Sequence, residues 1–88
     1  MLVAIANVRL FGNSEVSIYN NETNDIVNTF SFGIKEAKDT AEYIIKAYDI
    51  QEIVLYGSKL ITKKIGETIQ SQYLNLYSKQ IPITYKER

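Results

Sequence analysis

The sequence contains no cysteine and no histidine, and each absence removes several kinds of chemistry. Without cysteine there are no disulfides, iron–sulfur clusters or thiolate zinc sites, and the chain suits a reducing compartment such as the cytoplasm. Without histidine the chain lacks the commonest general base, the commonest transition-metal ligand and any Ser-His or Cys-His catalytic pair. The composition therefore favours a protein that is not an enzyme, and we expect no cofactor.

An excess of one charge and long hydrophobic runs are also absent. Ten basic residues balance ten acidic residues, whereas proteins that bind nucleic acid irrespective of its sequence usually carry a basic excess. The apolar residues 1–6 lack a preceding basic region and are followed by Asn7 and Arg9, so they predict a strand rather than a signal peptide. No segment approaches the length of a transmembrane span. We therefore expect no membrane partner.

The first half of the chain has the alternating pattern of β-strands. A chain of 88 residues, 45% of them hydrophobic, suits one domain covering 1–88 with a single core. Alternation of apolar and other residues predicts strands over 2–11, 15–20 and 26–32, joined by turns rich in glycine and asparagine. Because the connections are short, the three strands are expected to form an antiparallel meander.

The second half changes to helical periodicity. Apolar residues three and four apart predict one helix over 34–48 and another over about 58–76. Residues 52–56 between them form a nearly continuous apolar run, which is typical of a strand buried on both faces. A last strand is predicted over 81–85, and Pro82 places it at a sheet edge or at a strand start. With right-handed crossovers, the order β-β-β-α-β-α-β gives an α/β domain with a five-stranded mixed sheet.

This order of elements resembles the ribonuclease H-like fold across essentially the entire chain. The segment 49–59, a strand followed by a glycine turn, is also similar to the one before the last helix of actin-like domains. The fold includes ribonucleases and resolvases, actin-like ATPases, and ribosomal proteins that bind RNA. The resemblance is closer to the non-catalytic ribosomal and actin-like members than to the nucleases.

The nuclease members of the fold place one acidic residue on the first strand and another at the end of the fourth, where two metal ions need carboxylates. Residues 2–11 contain no aspartate or glutamate. The fourth strand ends at Tyr56, and Glu52 lies at its opposite end. We therefore expect no metal site, and a metal-dependent nuclease is the least favoured function.

The junction Gly57-Ser58-Lys59 is a candidate anion-binding site. Its backbone N–H groups, hydroxyl and ammonium could face a phosphate of a nucleotide or nucleic acid, with Lys63 and Lys64 adding charge one turn later. Alternatively, Gly57 makes the turn, Ser58 caps the helix and the lysines are solvated, since no Walker or dinucleotide glycine pattern surrounds them. A phosphate-bearing partner is therefore the second hypothesis for function.

Seven tyrosines and three phenylalanines indicate a surface that anchors a partner. In a ribonuclease H-like unit this short, both helices are expected to lie largely on one side of the sheet. The other face would then expose Val3, Ile5, Tyr19 and Val27, with Tyr85 as a further aromatic candidate. An uncovered apolar face usually binds a partner, and for a small domain a second copy is the commonest one. We therefore predict a small non-enzymatic interaction module that binds itself or another protein.

Overall fold

Five strands form one mixed sheet in the computed structural model, which describes residues 1–87. The spatial order of the strands is β3-β2-β1-β4-β5. β1 pairs antiparallel with β2 and parallel with β4, β2 pairs antiparallel with β3, and β4 pairs parallel with β5. Their bounds are β1 (Leu2–Asn7), β2 (Ser14–Asn20), β3 (Asp25–Phe32), β4 (Ile50–Tyr56) and β5 (Ile83–Lys86). The predicted element order and mixed pairing are confirmed, and Pro82 directly precedes an edge strand.

Two helices follow the periodicity of the second half. A 3-10 turn, Ile34–Glu36, leads into α1 (Ala37–Ala47), and α2 covers Lys59–Tyr77. Their buried side chains, such as Ile45 and Ile69, join one cluster with alternate residues of the strands. Both helices therefore pack on the same face of the sheet, and none of the elements within residues 1–87 covers the other face. No helix in this part of the chain is both long and apolar enough to cross a membrane.

β4 is buried on one face only. Ile53 and Leu55 are buried beneath the helices, whereas Val54 and Tyr56 are partly exposed. The prediction of a strand buried on both faces is wrong, because α1 and α2 occupy the same side of the sheet. β1 is also shorter than predicted: it ends at Asn7, and the buried Val8 and the exposed residues 9–13 that follow belong to the loop before β2.

A bulge between β2 and β3 changes the side on which one apolar residue lies. The register shifts between Ile18 and Tyr19, so that Tyr19 pairs with Ile26 and Val27 opposes no residue of β2. Regular alternation predicts Ile26 on the same face as Phe30. The bulge instead turns Ile26 toward the face that carries Tyr19, because one extra residue reverses the alternation.

Gly66 lies in the middle of α2, where glycine weakens a helix by about 1 kcal/mol relative to alanine. A Cβ at Gly66 would lie 1.9 Å from the hydroxyl oxygen of Tyr85. The missing side chain therefore makes room for the tyrosine ring of β5, which packs against the helix while remaining 47% exposed. Tyr85 pairs with Leu55, which points toward the helices. The placement of Tyr85 on the uncovered face is consequently wrong.

Candidate functional site

The sheet face opposite the helices, here called the open face, has an apolar centre and a polar rim. Side chains alternate along a strand, so the pairing register identifies the members of this face. At its centre Ile5 of β1 pairs with Val54 of β4, and Val3 lies two residues before Ile5. The rim carries mostly polar side chains on the flanking strands, Glu15, Ser17, Thr29, Ser31, Thr84 and Lys86, together with the exposed Ile26, and Glu52 lies beside Val3.

Two tyrosines flank the apolar centre in defined orientations. The hydroxyl of Tyr19 donates a hydrogen bond to Asn24 Oδ1 at 2.7 Å, which holds the ring against the β2–β3 turn. The ring of Tyr56 lies near the ammonium of Lys86, whose Nζ is 5.9 Å from the ring centroid, close enough for a cation–π contact. Both rings are only partly exposed. On the open face, each ring is therefore in contact with a neighbouring side chain.

Three of the five predicted interaction residues lie together on the open face. Ile5 and Tyr19 are partly exposed there, whereas Val3 is only 7% exposed because its cross-strand neighbours flank it. Val27 lies in the bulge and is 50% exposed. Sequence reasoning missed Val54, because a continuous apolar run does not show which residues face away from the helices. Its parallel pairing with β1 is the signal that would have identified it.

The junction between β4 and α2 requires glycine at position 57. Gly57 has a φ of +152°, and a Cβ there would lie 2.8 Å from the carbonyl oxygen of Val8. Its N–H donates to the carbonyl of Lys86 at 3.1 Å. Ser58 occupies the N-cap position of α2, but its hydroxyl makes no capping hydrogen bond. Gly57 thus makes the turn, while the side chains of Ser58 and Lys59 are exposed.

Basic residues gather at one end of the domain. β1, β4 and β5 end at this edge, and both helices begin there, so we call it the carboxyl edge. Except for Lys46 and Lys79, every lysine and arginine within residues 1–87 belongs to it: Arg9, Lys35, Lys38, Lys59, Lys63, Lys64 and Lys86. Fewer acidic residues accompany them: Glu15, Glu36, Asp39 and Glu87. A chain with no net charge is therefore basic at the carboxyl edge.

The opposite end of the sheet is acidic. Glu22, Asp25, Asp49 and Glu52 lie in or beside its turns and strand ends. The ammonium of Met1 donates a hydrogen bond to Glu22, and this contact lowers the pKa of the Glu22 carboxyl. The separation of charge makes the domain dipolar, although its formal charge is zero.

Comparison with solved structures supports the architecture. T. thermophilus RuvC, in complex with a Holliday junction substrate, matches 99% of this chain with a TM-score of 0.69. The chain has a ribonuclease H-like fold. Sequence identity to RuvC is 6%, and the chain spans 64% of the length of the RuvC chain, so the likeness concerns the fold alone. The sequence matches no protein-family model and no curated protein.

β1 carries no acidic residue and β4 ends at a neutral one, whereas the resemblance to nuclease members of the fold implies acidic residues on the first strand and at the end of the fourth. Asn7, at the end of β1, pairs with Tyr56, at the end of β4. Both belong to the open face and offer hydrogen-bonding groups rather than carboxylates. Within residues 1–87, no three aspartate or glutamate side chains converge where they could hold a metal ion.

Proposed function

We propose that this ribonuclease H-like domain is a small non-enzymatic interaction module, which associates with a second copy of itself through the open face. The observation that supports the proposal is the placement of α1 and α2 on the same side of the sheet. The apolar centre around Ile5 and Val54 is therefore left without a covering element. Burying such a surface between two copies gains the free energy of removing it from water.

The dimensions of the open face suit a reversible dimer. Five strands about 4.8 Å apart, each with about six residues that rise about 3.3 Å, span roughly 24 by 20 Å. Two such faces in full contact bury at most on the order of 1,000 Å², which is the lower limit for a specific interface, and an overlap of four strands buries roughly 800 Å². We therefore expect a dissociation constant in the micromolar range rather than an obligate dimer.

The rim charges fit a two-fold arrangement. Glu15 and Lys86 both lie near the carboxyl edge, on opposite sides of the central strands β1 and β4. A two-fold axis parallel to these strands brings Glu15 of each copy over Lys86 of the other. Self-complementarity of this kind is what an isologous interface requires.

Replacing Ile5 by glutamate should abolish the dimer, because the substitution puts a charge at the centre of the buried apolar surface. In sedimentation velocity, the wild-type weight-average mass should rise with concentration from 10.1 kDa toward twice that value, whereas Ile5→Glu should stay monomeric. Ser71→Glu, an exposed change on α2, is the matched control and should leave the dimer intact. Circular dichroism verifies that both variants are folded.

Charge reversal provides a second control for the same interface. Glu15→Lys and Lys86→Glu should each weaken the dimer by placing like charges together, and the double variant should recover at least part of the loss. A wild-type chain that remains monomeric at millimolar concentration would refute self-association. Loss of the dimer in Ser71→Glu but not in Ile5→Glu would place the interface on the helical side.

A second candidate function is the binding of nucleic acid or a nucleotide phosphate at the carboxyl edge. It is favoured by the concentration of lysines at this edge and by the start of α2 at Lys59. RuvC, which shares the fold, is seen in complex with a Holliday junction. The exposed Ser58 hydroxyl, which makes no capping bond, supports a phosphate contact at the same junction.

For this second candidate, ATP and a short single-stranded RNA should each shift the amide resonances of Gly57, Ser58 and Lys59 in NMR titrations. Binding of the RNA should weaken as salt rises, and Lys59→Glu combined with Lys63→Glu should reduce its affinity at least tenfold. The control is Lys79→Glu, at the opposite end of the domain, which should have little effect. Unchanged spectra at physiological salt would reject the candidate.

A further inference from the structure

A groove between α1 and the first half of α2 is the second uncovered apolar surface of the domain. It lies on the helical side, away from the open face. Ala41 of α1 and Ile61 and Ile65 of α2 line it. Leu10, from the loop after β1, and Leu60 stand at its mouth and are 52% and 81% exposed. Large apolar side chains exposed together at one groove indicate a binding surface.

Among residues 1–87, three lysines and no acidic residue line the same groove. Lys35 and Lys38 come from the α1 side, and Lys64 comes from α2. Their aliphatic stems can cover apolar surface while the ammonium groups stay in water. The groove thus combines an apolar floor with positive walls, so an occupant that fits it is apolar on one side and negatively charged along its flanks.

We propose that this groove binds an acidic amphipathic helix of a protein partner. α1 and α2 both begin at the carboxyl edge and run in the same direction, so the groove between them offers a track for a third helix. The small side chains of Ala37 and Ala41 allow a helix to approach closely. Apolar residues spaced three and four apart would occupy the floor, and glutamate or aspartate at the flanks would reach the lysines.

A cavity beneath the groove also favours an amphipathic helix as the occupant. A cavity of about 40 Å³ in the core shares Ala37, Ala41, Ile65 and Ile69 with the lining of the groove. It offers space into which an apolar anchor of the partner could settle after small side-chain movements. A nucleic acid backbone would satisfy the lysines but would leave Leu10 and Leu60 without apolar contacts. The apolar floor therefore favours a protein helix over a nucleic acid.

Binding of a helix in the groove does not depend on self-association through the open face. The groove and the open face lie on opposite sides of a two-layer domain, so a dimer formed through the open face keeps both of its grooves accessible. The monomeric variant Ile5→Glu should therefore bind the helix as well as the wild type does. The two proposals can fail separately.

The test uses a pair of synthetic 18-residue helical peptides that share one leucine stripe. One carries glutamate at its flanking positions, and the other carries lysine. We expect the glutamate peptide to bind at least tenfold more tightly in fluorescence anisotropy, and to shift the amide resonances of Leu60 and Lys64. Leu60→Ser should weaken this binding severalfold, because it removes an exposed apolar contact at the mouth.

Charge reversal in the groove distinguishes a loss of peptide binding from a loss of folding. Lys38→Glu combined with Lys64→Glu should invert the preference, so that the lysine peptide binds more tightly, and an unfolded variant could not gain this binding. Equal affinity for both peptides, or no binding of the glutamate peptide at millimolar concentration, would overturn the proposal. Displacement of the glutamate peptide by an equal concentration of single-stranded RNA would also overturn it and assign the lysines to nucleic acid.

Discussion

Gly57→Ala should destabilise the domain by about 2–4 kcal/mol. Two effects combine at this position. The φ of +152° lies in a region that residues with a side chain rarely adopt, and the new Cβ would meet the Val8 carbonyl oxygen at 2.8 Å. That carbonyl belongs to backbone held in place by the hydrogen bond from Val8 N–H to Tyr56 O at 2.8 Å. The clash therefore cannot be relieved by rotating a side chain.

Gly12→Ala is the matched control for this prediction. Gly12 also has a positive φ, +80°, but a Cβ there would meet no atom within 4 Å. Alanine at position 12 should therefore lower the free energy of unfolding only by the backbone strain, which is about 1–2 kcal/mol. Urea unfolding measures how much each variant loses in free energy of unfolding. For a domain of this size, a loss of about 1 kcal/mol lowers Tm by roughly 4–8 °C. A loss of stability at Gly57 no greater than at Gly12 would contradict the close approach of the Val8 carbonyl to the junction.

Leu55→Ala should lower the free energy of unfolding by about 2–5 kcal/mol, whereas Val54→Ala should lower it by about 1 kcal/mol or less. The two residues are neighbours on β4 but face opposite sides of the sheet. Leu55 is 1% exposed beneath the helices, and its truncation leaves a cavity in the core. Val54 lies on the open face and is only partly buried, so water can occupy the space that it vacates.

The comparison is made by urea unfolding at low protein concentration, where the reversible dimer is dissociated. At high concentration Val54→Ala should additionally weaken the dimer, because Val54 pairs with Ile5 at the centre of the open face. Leu55→Ala should not change the interface directly. Similar losses of stability in both variants at low concentration would mean that the second face of β4 is covered within the monomer, contrary to the two-layer architecture.

The order and type of the elements could be predicted because they depend on local patterns. Alternation identified the strands, three- and four-residue spacing identified the helices, and the proline fitted an edge strand. The assignment of faces was less successful, because it depends on pairing between distant segments. Tyr85 lies on the helical side because it pairs with Leu55 of β4, and its ring contacts α2 closely because Gly66 has no side chain.

In the candidate sites, too, the features that depend on local patterns could be predicted and those that depend on distant segments could not. Val3, Ile5 and Tyr19 could be placed on one face from alternation and from the expectation that both helices share a side. The bulge at Val27 could not be predicted, since nothing in the alternating run around it marks an extra residue. The groove was missed altogether. Its exposed leucines, Leu10 and Leu60, lie in a loop and in a helix that meet only in the folded chain.

Two surfaces of different character lie on opposite sides of this small domain. The open face is apolar at its centre with charges of both signs at its rim, which suits a second copy of the chain. The groove is largely apolar, and its charged lining residues within 1–87 are all lysines, which suits an acidic helix. A dimer that exposes two such grooves would join two partner helices, and where both helices belong to one partner molecule, binding to both would raise the apparent affinity without any new contact.

The most direct test of self-association through the open face is a concentration series of amide NMR spectra of the wild-type domain. As concentration rises from micromolar to millimolar, we expect resonances of Ile5, Ser17 and Val54 to shift together with one dissociation constant, while those of Leu60 and Lys64 stay fixed. Spectra that do not change with concentration, or shifts confined to α1 and α2, would contradict an interface formed by the open face.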